Sequence, residues 1–353
     1  MNSFSAEDKM YMKRCLQLAR CGNGSTSPNP MVGAVIVHDG RIIGEGYHIR
    51  AGEPHAEVNA VNSVKEEERH LLKKSTVYVT LEPCSHYGKT PPCCDMLISK
   101  GVKRVVIGTT DDNAMVNGAG ISRMQKAGIE VCTGLFEEEC HRLNRDFFAS
   151  HTLGRPAITL KWAQSADGYI DTSREHGTAT AISTPVSRLA VHRLRSTHDA
   201  ILVGTRTAIL DNPSLNVRDW CGRQPLRLVT DRRGILPASL KLFDGTQPTI
   251  VYTENTIERK FGKNIEQIKI NFSADPLNDI LSHLHSIKIN SLLVEGGAAL
   301  LQSFMDAGLW DDIRIETNPN LILGNGIAAP VIPENSQIDK LQCGGNEISL
   351  IRR

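Results

Sequence analysis

A chain of 353 residues, 40 % hydrophobic and 22 % charged, exceeds what one hydrophobic core serves and is too apolar for extensive disorder, so two folded domains are expected. A formal net charge of +1 supplies no global field for polyanions, and aromatics at 5 % leave few stacking platforms, so no nucleic-acid partner is expected. No apolar run reaches membrane-spanning length, no secretory signal is visible at the N-terminus, and nine cysteines, an odd number, fit a reducing compartment; a cytoplasmic protein with no membrane partner is expected.

Ser5 is a cap for a helix running to about residue 21, with Met10, Leu16 and Leu18 along one stripe. Runs 33–37 and 42–46 are β-rich and joined by His38-Asp39-Gly40-Arg41, a hairpin signal because Asp-Gly tolerates positive φ. Runs 76–80 and 104–108 read as buried strands, separated by a helix that ends near Lys100-Gly101; a helix at 120–127 then precedes a strand at 129–132. Alternating strands and helices predict an α/β layer architecture.

Two segments of this half carry chemistry. Pro54-His55-Ala56-Glu57 opens a helix, and Pro83-Cys84 is followed by Cys93 at the start of the next. A His-x-Glu followed by Pro-Cys and a further Cys is the pattern of zinc deaminases, in which the glutamate is general acid/base and not a ligand. His55, Cys84 and Cys93 are the expected Zn²⁺ ligands, three in number so that a fourth position stays open, and Glu57 is the expected proton shuttle. Cys94 competes with Cys93 by adjacency; the pattern favours Cys93 and leaves Cys94 as a packed thiol. Cys15, Cys21, Cys132, Cys140, Cys221 and Cys343 read as small hydrophobes.

A boundary falls at 150–154, where helical sequence gives way to a strand at 157–162. Further strands are expected at 200–203, 226–230, 249–252 and 291–294, with helices at 185–195 and 300–307. The Gly-x-Gly-x-x-Gly fingerprint is absent. In Glu295-Gly296-Gly297-Ala298-Ala299, two glycines allow close backbone approach and a helix N-terminus offers amides to a phosphate; the bland alternative is a tight connection.

The stretch from Pro83 to Cys93, which opens the usual two-residue gap between the cysteines, resembles the deaminase half of the bifunctional riboflavin-biosynthesis deaminase/reductase family. Lys161-Trp162-Ala163-Gln164-Ser165-Ala166-Asp167-Gly168, the segment from Thr207 to Arg218, and Val294-Glu295-Gly296-Gly297 resemble its reductase half, so the resemblance spans nearly the whole chain.

It implies a cytidine-deaminase-like three-layer α/β/α domain over 1–149 and a dihydrofolate-reductase-like α/β domain over 155–353. The implied substrate is a small phosphoribosyl pyrimidine, the implied cofactors are Zn²⁺ and NADPH, and both domain types commonly form homo-oligomers. Asn29 and His48 match pyrimidine-binding positions, and Asp111 and Asn113 match contacts to ribose or phosphate. Thr207, Asp211 and Leu215 match cofactor positions, joined by Gly297 and Ala298 at the phosphate grip. Arg195, Arg218 and Glu295 match substrate positions, the two arginines as forks for a 5′-phosphate, and Lys161 protonates or orients the reacting group unless it is a strand-end lysine in solvent.

Three departures stand out: Asp112 replaces a proline, Ala179 a serine that binds substrate, and Ala181 a tryptophan that covers cofactor. They leave room for a chain with a working deaminase and a degenerate reductase half. The rival readings are a nucleic-acid deaminase with a recruiting domain and a binding module with structural zinc.

Overall fold

Ser5 starts helix α1 (Ala6–Arg20) through a reciprocal capping box: its hydroxyl accepts from the Asp8 amide at 3.0 Å, while Asp8 accepts from the Ser5 amide at 3.0 Å. Asp8 also takes the Tyr78 hydroxyl at 2.8 Å and the Arg104 guanidinium at 2.7 Å, which docks the helix on the sheet. The computed structural model describes residues 4–87, 91–111, 118–174, 178–255, 262–334 and 336–353. The chain divides into two units, Met1–Leu153 and Gly154–Arg353.

In the first unit α1 is followed by β1 (Gly33–His38), β2 (Arg41–Tyr47), α2 (Ala56–Ser63), β3 (Thr76–Leu81), α3 (Cys93–Lys100), β4 (Arg104–Thr109), α4 (Ala119–Lys126), β5 (Glu130–Thr133), α5 (Glu137–Leu143) and α6 (Arg145–Leu153). The sheet order is β2-β1-β3-β4-β5, with β1 antiparallel to both neighbours and β3, β4 and β5 parallel. Asp39 (φ 45°) and Gly40 (φ 74°) make the expected hairpin turn.

Alternation along β1 feeds two cores. Ala34 and Ile36 pack with residues of α2, α3 and α4, while Val35 and Val37 pack with residues of α1 and Cys140 of α5, which makes three layers. Helix α2 lies close on the hairpin because β2 carries glycine there: a Cβ on Gly44 or Gly46 would stand 2.5 Å from the Ala60 carbonyl oxygen or amide nitrogen. That approach sets where His55 and Glu57 emerge.

The second unit contains β6 (Ala157–Ser165), β7 (Tyr169–Asp171), α7 (Pro185–Thr197), β8 (Ala200–Val203), α8 (Thr205–Asp211), β9 (Leu226–Thr230), β10 (Thr249–Thr253), β11 (Ile265–Lys269), α9 (Pro276–Ser286), β12 (Ser291–Glu295), α10 (Ala298–Asp306), β13 (Asp312–Asn318), β14 (Ile327–Ala328), β15 (Ile338–Cys343) and β16 (Asn346–Arg352). Its nine-stranded sheet runs β11-β10-β9-β8-β12-β6-β13-β16-β15, parallel up to β13 and antiparallel beyond. Leu160, Leu202 and Val294 pack with α9 and α10 on one face; Ile201, Val203 and Leu293 pack with Ala208 of α8 on the other.

Strands β11, β13, β15 and β16 and helices α8 and α9 lie outside the expected elements. Strand β13 interrupts its apolar residues with Arg314 and Glu316, and edge strand β15 is almost wholly exposed, so neither has the apolar density of a buried parallel strand. Two of the cysteines expected as small hydrophobes are exposed: Cys21 ends α1 at solvent, and Cys221 lies on a surface bend; Cys132 and Cys343 are half-buried.

Candidate active sites

His55 is the N-cap of α2, which places Glu57 in the first turn, and Cys93 is the first residue of α3. His55 Nδ1 stands 3.4 Å from Cys93 Sγ and 3.6 Å from Cys84 Sγ. In a tetrahedral Zn²⁺ site with ordinary Zn–N and Zn–S bonds, the N···S edge is about 3.5 Å. The donor set therefore has the span and chemistry of a three-ligand zinc site, and it is the one such cluster among the described residues. Cys94 is buried but lies off this cluster, its sulfur beside Asp95 at 3.5 Å.

The Cys84 thiol is pulled down to about 4, chiefly by the hydrogen bond from the Cys93 thiol and then by His55, against the opposing effect of burial. The Cys93 amide, at the N-terminus of α3, donates to the same sulfur at 3.3 Å. Cys93 is correspondingly pushed up, first by its hydrogen bond to Cys84 and then by burial, and a bound cation would favour the deprotonated form of both. The Glu57 carboxylate is 4 % exposed, touches Cys93 and stays outside the donor cluster; burial pushes it up to about 7.

Asn29 and His48 come together beside this centre. Asn29 Nδ2 donates to His48 Nε2 at 3.1 Å, and His48 Nδ1 donates to the Pro54 carbonyl at 3.1 Å, so His48 is neutral and protonated on Nδ1. Burial lowers its pKa, and its ring stands edge-on to His55 at 5.4 Å. Asp111 is buried two residues past the end of β4; Asn113 lies outside the described residues, as does Asp112.

Glu82 had no assigned role from the sequence, although it sits in the Glu-Pro-Cys motif. Its buried carboxylate caps α4, accepting from the Gly118 and Gly120 amides at 3.1 Å and from Ile121 at 3.4 Å, and so braces the chain just before Cys84. A Cβ on Gly120 would meet the Pro83 carbonyl at 2.5 Å.

In the second unit, Lys161, Arg195, Thr207, Asp211, Leu215, Arg218, Glu295, Gly297 and Ala298 all line one cavity of about 780 Å³. Gly296 and Gly297 both have positive φ, 78° and 75°, and lie against Thr207: a Cβ on Gly297 would stand 2.8 Å from the Thr207 hydroxyl. Helix α10 begins at Ala298, which directs its N-terminus to the cavity, as a phosphate-bearing cofactor requires. Leu215 contributes backbone in the left-handed region (φ 48°), while its side chain is buried in the core.

Both expected arginines line this cavity, and each already has protein partners. Arg195 Nε and Nη2 donate to Glu295 at 2.8 and 2.7 Å, and Nη1 donates to the Asn216 carbonyl at 3.2 Å; Arg218, with its side chain 55 % exposed, pairs with Asp219 at 3.6 Å and donates to Asn216 Oδ1 at 3.1 Å. Burial would raise Glu295, but Arg195 reverses this and holds it at about 2. Lys161 sits inside β6 in register with Glu295, half-buried and not in solvent, and burial lowers its pKa. Ala179 and Ala181 face the same cavity; Trp162 also lines it, but is 3 % exposed and bonded to Gln164.

The profile of the cytidine and deoxycytidylate deaminase zinc-binding region matches residues 5–109, and that of the RibD C-terminal domain matches 156–349. The riboflavin biosynthesis protein RibD of Aquifex aeolicus is 44 % identical over 325 residues, 91 % of this chain and 89 % of that one; the Escherichia coli RibD is 39 % identical over 334 residues, 90 % and 89 %. A solved Thermotoga maritima diaminohydroxyphosphoribosylaminopyrimidine deaminase/5-amino-6-(5-phosphoribosylamino)uracil reductase superposes with a TM-score of 0.89 at 36 % identity, covering 98 % of both chains, and Acinetobacter baumannii RibD does so with 0.87 at 33 % and the same coverage. The first unit thus has the cytidine-deaminase-like fold and the second the dihydrofolate-reductase-like fold of the reductase domain. Since both halves match in order and over most of their length, the chain belongs to the RibD family of riboflavin biosynthesis proteins.

Proposed function

We propose that the chain performs two steps of riboflavin biosynthesis. Residues 1–149 hydrolytically deaminate 2,5-diamino-6-(5-phosphoribosylamino)pyrimidin-4(3H)-one, and residues 155–353 reduce the ribosyl group to ribityl phosphate with NADPH. The observation that carries this reading is the convergence of His55, Cys84 and Cys93 at the spacing of a tetrahedral site, with the buried Glu57 close by and outside that donor cluster.

Zinc held by those three residues supplies the Lewis acidity that makes an attacking water acidic near neutrality. Glu57 takes the water's proton and returns it to the departing amine, from a position fixed by the first turn of α2. Asn29, with its Nδ2 engaged by His48, turns Oδ1 to an N–H of the pyrimidine. Asp111 and Asn113 border the ribose phosphate.

In the second half NADPH supplies hydride when bound. Thr207, Asp211, Leu215, Gly297 and Ala298 hold it, the last two at the N-terminus of α10. Lys161 protonates or orients the sugar oxygen, Arg218 takes the substrate phosphate, and Arg195 keeps Glu295 ionised and aimed at the substrate. Nine free cysteines accord with a cytoplasmic enzyme; a homo-oligomer is the assembly we assign, to be read by light scattering.

A second reading, deaminase activity alone, draws on Ala179 and Ala181 in the cavity wall. Incubation of the full chain with the diaminopyrimidine ribotide, with and without NADPH, separates the two. Ammonia release followed by NADPH oxidation supports both steps; ammonia with no oxidation supports the second reading; no ammonia from zinc-loaded protein defeats both.

A further inference from the structure

Among the described residues, the wall that carries Ala179 and Ala181 is held by polar contacts at both ends. At one end the Ile182 carbonyl accepts from Asn318 Nδ2 at 3.0 Å and from Asn346 Nδ2 at 3.2 Å, and Ser183 donates to Glu316 at 2.9 Å. At the other end Asp171 Oδ1 accepts the Thr180 amide at 3.1 Å and its hydroxyl at 2.7 Å. The alanine side chains between offer a cofactor no hydrogen bond and little contact area, so the placement of this wall depends on what it is tied to.

It is tied to Arg174. The Arg174 side chain, 9 % exposed, donates from Nε to Asp171 at 2.6 Å, from Nη1 to the Leu210 carbonyl at 3.2 Å, and from Nη2 to the carboxylate of Asp211. One guanidinium thus joins the carboxylate that anchors Thr180 to the last residue of α8, the helix whose Thr207 lies under the two glycines of the phosphate grip. Arg174 and Asp211 line the same cavity. A planar fork presents five donors from three nitrogens in fixed directions and so reaches two carboxylates and a carbonyl on different sides, whereas a lysine offers its three donors from a single nitrogen.

We propose that Arg174 is a positioning residue of the cofactor pocket: by pairing with Asp171 and Asp211 together, it orients the Asp211 carboxylate toward the cofactor and draws the alanine-bearing wall against helix α8. This rests on the reading of the second half as an NADPH site. Arg174 acts through Asp211 and the wall, so its loss weakens cofactor binding and leaves the hydride step itself intact.

The test is NADPH binding, by fluorescence titration, and steady-state reduction with the full zinc-loaded chain, comparing wild type with Arg174→Gln and Arg174→Lys. Arg174→Gln is expected to raise the Kd and KM for NADPH by about ten- to hundredfold, the scale of a lost charge-assisted contact, with kcat at saturating NADPH little changed. Arg174→Lys, which keeps one ion pair and guards against a glutamine variant that fails to fold, is expected to fall between. Ammonia release and zinc content stay as in wild type. Equal NADPH affinity in wild type and both variants overturns the proposal while the reductase reading stands, and so does a fall in kcat at unchanged KM, which would place Arg174 at the reacting atoms. Wild-type protein that neither binds nor oxidises NADPH overturns the reductase reading and this proposal with it.

Discussion

His55 Nδ1 and Cys93 Sγ stand 3.4 Å apart although 38 residues separate them, because each begins a helix and both helices lie on the same face of the five-stranded sheet. Two helix N-termini thereby point at one spot, and their partial positive charge favours thiolate over thiol there.

The identity of the second thiolate can be checked directly. Cys93→Ser is expected to lose most bound zinc by metal analysis and to abolish ammonia release, whereas Cys94→Ser keeps both, since the Cys94 sulfur lies beside Asp95 and away from the donor cluster. Zinc retained in the first variant and lost in the second would move the ligand by one residue.

Glu57→Gln keeps the shape of the buried side chain and removes the proton acceptor. It is expected to hold zinc at wild-type stoichiometry while ammonia release drops by about 10²- to 10⁴-fold, the range for loss of a positioned acid/base. Turnover persisting at wild-type rate would remove Glu57 from the mechanism.

The Arg195–Glu295 pair makes the second unit sensitive to acid. Glu295 titrates at about 2 in the folded protein against the usual 4.5, so between those values the unfolded chain binds more protons, and stability falls as pH drops through that window. At neutral pH Glu295→Gln is expected to cost about 3 kcal/mol by leaving a buried guanidinium unpaired, a deficit that narrows below pH ~4.5. All three tryptophans, Trp162, Trp220 and Trp310, lie in the second unit, so denaturant unfolding followed by tryptophan fluorescence reads this unit; a pH-independent difference would contradict the assignment.

Gly297→Ala places a methyl group 2.8 Å from the Thr207 hydroxyl on backbone with φ 75°. Strain of about 1–2 kcal/mol is expected, expressed as a KM for NADPH raised several-fold with ammonia release unchanged. An unaltered KM would show that the cofactor phosphates bind elsewhere.

Much of this molecule is legible in its sequence. Helix α1 follows from Ser5 and the apolar stripe, the hairpin from Asp39-Gly40, and strands β8 and β9 from short apolar runs between polar turns, each a matter of residues near one another in the chain. The C-terminal strands were hidden because β13 carries Arg314 and Glu316, whose surroundings come from distant segments: Glu316 is fully buried yet satisfied by Ser183, Ser187 and Asn346. No local pattern predicts a carboxylate paired in that way.

The sequence alone determined which chemistry is available, one imidazole, two cysteines and a glutamate in zinc-deaminase order with a glycine pair after a buried strand, because ligand type and local conformation are properties of single residues and short segments. Only the tertiary structure decided how those groups are used. It placed His48 in its Nδ1-protonated form between Asn29 and Pro54, capped α4 with the Glu82 carboxylate, and paired Arg195 with Glu295. Each of these depends on a distance across the fold, and an electrostatic or hydrogen-bonding partner is chosen by what packing brings within about 3 Å.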